Sequence, residues 1–215
     1  RKAAYPKGYR EFESLPFRTK NENLNYMKSE LISSVKKGDI PSYLGEYLSD
    51  IGIGHIVELR EYNPHYKEIF SRESERIASI FDQLPISLHH IGSTSVEGLC
   101  AKPIIDILLT YPETVTFESV KKVLVDAGYF FREDLFPERT YFVLENDKGI
   151  RYFAITVYMS DDVRVKELLT FRDKLRDNPS IMEEYMEIKR KLSAETTNRQ
   201  EYTNQKSEFI QRYSK

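Results

Sequence analysis

Along most of this 215-residue chain, apolar positions recur either with a helical period or in alternation, and the switches between the two mark its elements. Residues 1–22 show neither pattern, with Pro6, Gly8 and Pro16 interrupting. From there Leu24, Met27, Leu31, Ile32 and Val35 form one stripe, predicting a helix capped by Asn23 and ended at Lys36-Lys37-Gly38. A second helix is expected after Pro41, burying Tyr43, Leu44, Tyr47, Leu48 and Ile51, and Gly52-Ile53-Gly54 reads as a flexible joint. A short strand from His55 to Glu61 is predicted next. Asn63-Pro64 then starts a helix to about Phe81, with Tyr66, Ile69, Phe70, Ile77, Ile80 and Phe81 inward and Glu73 on the same stripe.

The pattern then alternates. Ile86 to Ile91 predicts a strand, and Ile104 to Leu109 a second, greasier one that should be buried on both faces. Thr116 to Ala127 is helical with Gly128 as its cap, and Tyr129 to Phe131 and Thr140 to Glu145 are strands. Asn146-Asp147-Lys148-Gly149 is turn chemistry leading into a strand over Ile150 to Met159. A helix from Ser160 turns Val165, Leu168, Leu169, Arg172 and Leu175 inward until Asn178-Pro179 breaks it. Ser180-Ile181-Met182-Glu183 resembles a capping box for the next helix, with Ile181, Tyr185, Ile188 and Leu192 inward. After a polar stretch, Tyr202, Phe209, Ile210 and Tyr213 predict a last docked helix. This order predicts an α+β fold: a small mixed β-sheet with packed helices, residues 55–215, preceded by an N-terminal helical extension, residues 1–54.

Composition narrows the function. A formal charge of −2 argues against a dedicated nucleic-acid binder, and a single cysteine, Cys100, excludes an internal disulfide or a multi-cysteine zinc site. No apolar run is long enough to span a bilayer, so a cytoplasmic protein with no membrane partner is expected. The chain starts at Arg1 rather than Met, so an upstream piece is expected.

Candidate chemistry gathers at His90 to Asp106. A carboxylate inside an apolar strand costs several kcal/mol unless cations or donors meet it. Strand alternation puts Lys102, Ile104, Asp106 and Leu108 on one face, with Lys102 and Asp106 ~13 Å apart, far enough to bracket a cleft. Asp106 reads either as a metal ligand or base, or as half of a structural ion pair. Gly92-Ser93-Thr94 supplies flexible backbone and hydroxyls suited to a phosphate, although taken alone a plain tight turn is the better reading. His90 faces the same way as Ile86 and Leu88, as a core histidine would. Arg172, on an apolar stripe, should reach a carboxylate such as Glu73 or Asp106, or a phosphate, with Arg176, Arg139, Arg151, Lys189 and Lys206 able to join it. P-loop and Rossmann glycine patterns are absent from the sequence, as is a nucleophile elbow.

His90-Ile91-Gly92-Ser93-Thr94-Ser95-Val96-Glu97-Gly98-Leu99-Cys100-Ala101-Lys102-Pro103-Ile104-Ile105-Asp106-Ile107 closely resembles the signature of the GrpB (UPF0157) family. Tyr62 to Tyr66, Phe171 to Pro179, and the tail with Tyr185, Lys189, Tyr202 and Lys206 agree with it. The resemblance implies a nucleotidyltransferase-like fold, with Gly92-Ser93 at a nucleotide phosphate and Asp106 as the catalytic residue holding Mg²⁺. Lys102, Arg139, Arg172 and Arg176 would neutralise charge, and His90, Glu73, Lys189 and Lys206 would support the site. The paired acids of that superfamily are reduced here to Asp106 alone, the later strand carries no acid, and Glu73, Glu133 or Glu138 would have to supply the rest. The expected function is binding of a nucleotide or phosphorylated small molecule, with Mg²⁺-dependent nucleotidyl transfer as its extension. Because the family also occurs joined to dephospho-CoA kinase, the alternative is a non-catalytic interaction or chaperone-like module linked to coenzyme A biosynthesis.

Overall fold

A computed structural model describes residues 40–54, 58–82, 84–133, 140–195 and 206–214. The predicted helix at Leu24 lies outside them. Helix α1 spans His65–Phe81, with Asn63 Oδ1 accepting from the His65 N–H at 2.9 Å. Strands β1 (Ser87–Ile91) and β2 (Ile105–Tyr111) come next, then α2 (Phe117–Asp126), where the Thr116 side chain accepts from the Ser119 N–H. β3 (Phe130–Phe131), β4 (Thr140–Glu145) and β5 (Arg151–Met159) complete the sheet. The turn between β4 and β5 forms as its residues dictate: Asn146 Oδ1 accepts from the Lys148 and Ile150 N–H groups, and Gly149 takes φ 75°.

Three helices end the described chain: α3 (Val163–Asp177), α4 (Pro179–Glu195) and α5 (Ser207–Tyr213). Asp162, rather than Ser160, caps α3 by accepting from the Arg164 N–H. Asn178 stops α3 and also caps α4, its Oδ1 accepting from the Ser180 and Ile181 N–H groups. The Ser180 capping box predicted from the sequence is therefore displaced by an asparagine, with Pro179 in the first turn where its missing N–H costs nothing.

The fold is α+β, with a five-stranded mixed sheet in the order β1-β2-β5-β4-β3. Only β2 and β5 run parallel, and every other pair is antiparallel. Ile105, Ile107 and Leu109, with Phe153 and Ile155, pack one face of the sheet into a core with Ile69 and Ile77 of α1 and Val120 and Leu124 of α2. On the opposite face Leu108, Ile91 and Tyr158 meet Val165, Leu168 and Leu169 of α3. The β1–β2 connection has its own small core, in which Val96 and Leu99 join Leu175, Tyr185 and Phe209 of α3, α4 and α5. That cluster welds the motif to the C-terminal helices.

Several expectations need correction. Residues 42–47 form a 3-10 turn rather than an α-helix, and Leu48 stays exposed. Gly52-Ile53-Gly54 is not a joint, because Ile53 bridges Arg151 through reciprocal backbone hydrogen bonds and the Gly52 N–H donates to Pro103 at 2.7 Å. Leu44 and Ile51 are fully buried in the main core, so residues 40–54 share packing with α1 and the sheet. Of the strand expected up to Glu61, the described part is a single bridge, Arg60 to Ala101.

Candidate functional site

The pairing of β1 with β2 sets Ile91 opposite Asp106, so the chain leaving β1 crosses directly over the aspartate. Gly92 makes that crossing with φ 70°. A Cβ there would stand 2.9 Å from Asp106 Cβ, so only glycine fits in both torsion and space. Ser93–Ser95 then turn as a 3-10 segment, held by Ser95, whose N–H and hydroxyl both donate to the Gly92 carbonyl at 3.2 and 2.6 Å. Gly92 is exposed, while Ser93 and Asp106 are half-buried, so solvent reaches the turn and the carboxylate beneath it.

Thr94 points the other way. It is buried, and its hydroxyl donates to the Ile104 carbonyl at 3.1 Å. With that proton committed, the hydroxyl oxygen accepts from His90 Nε2, also at 3.1 Å. His90 stacks on Phe70 with ring centroids 4.6 Å apart. Burial, reinforced by the nearby charges of Arg176 and Arg172, pushes its pKa down to about 3, so the imidazole is neutral at physiological pH. Thr94 and His90 thus brace the turn from within, facing away from Asp106.

Cations surround the turn from the C-terminal helices. Arg172 donates to the His90 carbonyl at 3.2 Å and to Asp173 at 2.7 Å, instead of pairing with Glu73 or Asp106 as the sequence alternatives proposed. Arg176, one turn on, donates twice to the Ser95 carbonyl, at 3.1 and 2.8 Å. Lys189 on α4 is 1% exposed and donates to the Cys100 carbonyl. Burial, with the charge of Lys206 acting in the same direction, pushes its pKa down to about 7, against the opposing pull of Cys100 and Asp106. Tyr185, one turn before Lys189, is buried with its hydroxyl hydrogen-bonded to Ser93, in the field of Asp106, and its pKa is raised chiefly by burial. The sequence reading set Tyr185 on an apolar stripe and left it out of the site. The signal was its four-residue spacing from Lys189, which stacks the two on one helical face.

Other expected members stand apart. Glu73 is fully buried, but Arg76, Tyr43 and Tyr129 take its carboxylate. Glu133 lies just past β3, at the far edge of the sheet from β1. Arg151 pairs with Glu145 at 3.1 Å. Lys102 is half-buried but off the strand period, because Ile104 donates back to its carbonyl at 2.7 Å and β2 begins only at Ile105. Glu138 and Arg139 lie outside the described residues.

The donor set around Asp106 is poor for a metal ion. A protein-held Mg²⁺ wants several oxygen ligands in octahedral order. Among the described residues no three His, Cys, Asp or Glu side chains come together. The neighbouring strand sets Ala154 opposite Asp106, with Tyr152 and Thr156 next on that face, where a second acid would have to stand. The charge balance is distinctive in another way. Guanidinium and ammonium groups whose partners are backbone carbonyls are held in place without being neutralised, and such cations favour an anion.

The family model described as GrpB protein matches residues 56–215. The chain belongs to the GrpB family. A UPF0157 protein of Halalkalibacterium halodurans is 33% identical over 180 residues, covering 79% of this chain and 90% of that protein. The glutamate-rich protein GrpB of Alkalihalophilus pseudofirmus is 30% identical over 169 residues, 72% of this chain and 91% of its own length. The crystal structure of the conserved protein GrpB from Enterococcus faecalis superposes with a TM-score of 0.63 at 31% identity, covering 73% of this chain and 94% of that one. The GrpB match begins at residue 56, so the buried Leu44, Tyr47, Ile51 and Ile53 precede it. Among the described residues no helix is long and apolar enough to cross a membrane.

Proposed function

We propose that this GrpB-family chain binds a nucleotide or another phosphorylated small molecule at the Gly92–Ser95 turn. The observation that carries the reading is the set of cations with carbonyl partners: Arg172 on His90, Arg176 on Ser95 and Lys189 on Cys100. Lys189 is fixed by a neutral group, while Arg172 and Arg176 share the half-exposed carboxylate of Asp173 at 2.7 and 3.8 Å, so the three cations leave positive charge for a ligand at the solvent-reached face of the turn. Phosphate oxygens suit this arrangement, because guanidinium forks match them in shape and charge. Nucleotidyl transfer is the extension that the nucleotidyltransferase-like resemblance supports, with Asp106 beneath the turn as its acid.

Thermal shift with inorganic phosphate, pyrophosphate, AMP and ATP tests the reading, since a ligand that binds only the folded state raises its melting temperature. At least one of these probes should stabilise the wild type, and Arg172→Gln should weaken that probe's binding roughly tenfold, the loss of about one charge-assisted hydrogen bond. No stabilisation by any probe sinks the reading. The cations would then serve only to fasten α3 and α4 to the motif, leaving the non-catalytic interaction module linked to coenzyme A biosynthesis.

A further inference from the structure

We infer that Lys189 is the resident cation of this site, so that its anionic ligand is held without a metal ion. The inference rests on the phosphate-binding reading above and goes beyond it, because it makes binding independent of Mg²⁺ and assigns the counter-charge to a side chain.

Three observations converge on it. First, Asp106 is the sole acid that the sheet brings to this face of β2: its register partner on β5 is Ala154, and the flanking Tyr152 and Thr156 are also uncharged. A single carboxylate, with no three His, Cys, Asp or Glu side chains gathered among the described residues, is a weak seat for a divalent ion. Second, a buried cation already occupies the field of that carboxylate. Lys189 is 1% exposed, the Cys100 carbonyl fixes its ammonium, and both Asp106 and Lys206 act on it electrostatically. A divalent ion brought to Asp106 would meet the repulsion of these two lysines. Third, among the described residues Lys189 meets only the Cys100 carbonyl and the Tyr185 ring, 5.5 Å from its ammonium, and a buried lysine is expensive unless its charge is needed. Its place on α4, one turn beyond Tyr185, sets the amine on the Cys100 carbonyl, in the β1–β2 connection whose Val96 and Leu99 pack on Tyr185.

The surrounding groups sharpen the role. His90 is neutral and faces the opposite side of the sheet, so it adds no charge. Arg172 has Asp173 beside it, and Arg176 is partly exposed. Lys189 is thus the most deeply buried of the cations around the motif, where a charge acts most strongly on a bound anion. It is a positioning and charge-supplying residue for the ligand rather than a nucleophile.

The test is isothermal titration of pyrophosphate into the full chain, once in EDTA and once in excess Mg²⁺, for wild type, Lys189→Met and Asp106→Asn. The wild type should bind in EDTA, Lys189→Met should lose at least tenfold in affinity there, and Asp106→Asn should bind as tightly as the wild type or more so, because the amine is freed from its competing carboxylate. Circular dichroism reports whether each variant is folded. If Lys189→Met does not fold, Asp106→Asn decides alone: retained binding in EDTA supports the inference and lost binding overturns it. Binding by the wild type only when Mg²⁺ is present, abolished by Asp106→Asn, overturns the resident-cation assignment and leaves the phosphate-binding reading intact. No binding in either buffer overturns both.

Discussion

Two buried charge networks lie on opposite sides of this sheet, and they differ in what the cations touch. Around Glu73, Arg76 donates two hydrogen bonds to the carboxylate at 3.0 and 2.6 Å, and the hydroxyls of Tyr43 and Tyr129 complete it. Every charge there meets an opposite charge or a matched donor, and Glu73 is 0% exposed. Around the Gly92 turn, by contrast, Arg172, Arg176 and Lys189 hold carbonyls, and the one acid of the strand, Asp106, is half-buried beside solvent. The first network is closed and serves the fold. The second is open, with Arg172 and Arg176 sharing Asp173 beside an accessible turn, and it is the proposed ligand site.

That contrast can be broken by substitution. Glu73→Gln should give the largest stability loss, about 3–5 kcal/mol, because it leaves Arg76 as an uncompensated buried charge. Denaturant unfolding measures it, and a loss below about 1 kcal/mol would show that the network is not closed as described. The ligand affinity of whatever folds should be unchanged, since the hydrogen bonds of Glu73 go to Arg76, Tyr43 and Tyr129 and not to the turn.

The pH dependence of stability sharpens the comparison from the other side. His90 is held neutral, with its pKa pushed down to about 3 from an ordinary value near 6.5. Between these values the unfolded chain binds more protons than the folded one, so this residue's contribution is complete above about pH 6.5 and is lost progressively down to about pH 3. His90→Phe keeps the stack on Phe70 and should flatten that part of the pH–stability curve. An unchanged slope between pH 6 and 4 would show that His90 is not the group responsible.

Arg176→Gln should have the smallest effect on stability and a clear one on binding. Its side chain is 40% exposed and its carbonyl partner stays accessible to other donors, so a change within about 1 kcal/mol is expected in unfolding. Pyrophosphate affinity should fall roughly tenfold. Equal effects on both, or an effect on stability alone, would place Arg176 with the closed network.

Reading the chain without its structure went furthest where the physics is local. Hydrophobic period and turn residues located α1 through Asn63, the β4–β5 turn through Asn146, and the buried strand around Asp106 to within a residue or two. The motif from His90 to Ile107 was enough to point to the GrpB family. Local pattern failed where two rules competed. Ser180 and Asn178 are both competent caps, and the choice between them depended on where α3 stopped. Gly52-Ile53-Gly54 looked loose because nothing nearby in sequence reveals that Arg151 will bridge it.

The sequence by itself determined most of the elements and the α+β class, and it named candidate residues for an anion, since these depend on period, composition and side-chain chemistry along one stretch at a time. The partners were decided only by the tertiary structure. Asp106 called for a counter-charge from the start, and the candidates ranged from Arg172 to a metal ion. Sheet register put Ala154, not an acid, at its side, and the packing of α4 against the motif set Lys189 on the Cys100 carbonyl. Both are contacts between segments distant along the chain. They are fixed by which hydrophobic faces meet, and no local pattern carries that information.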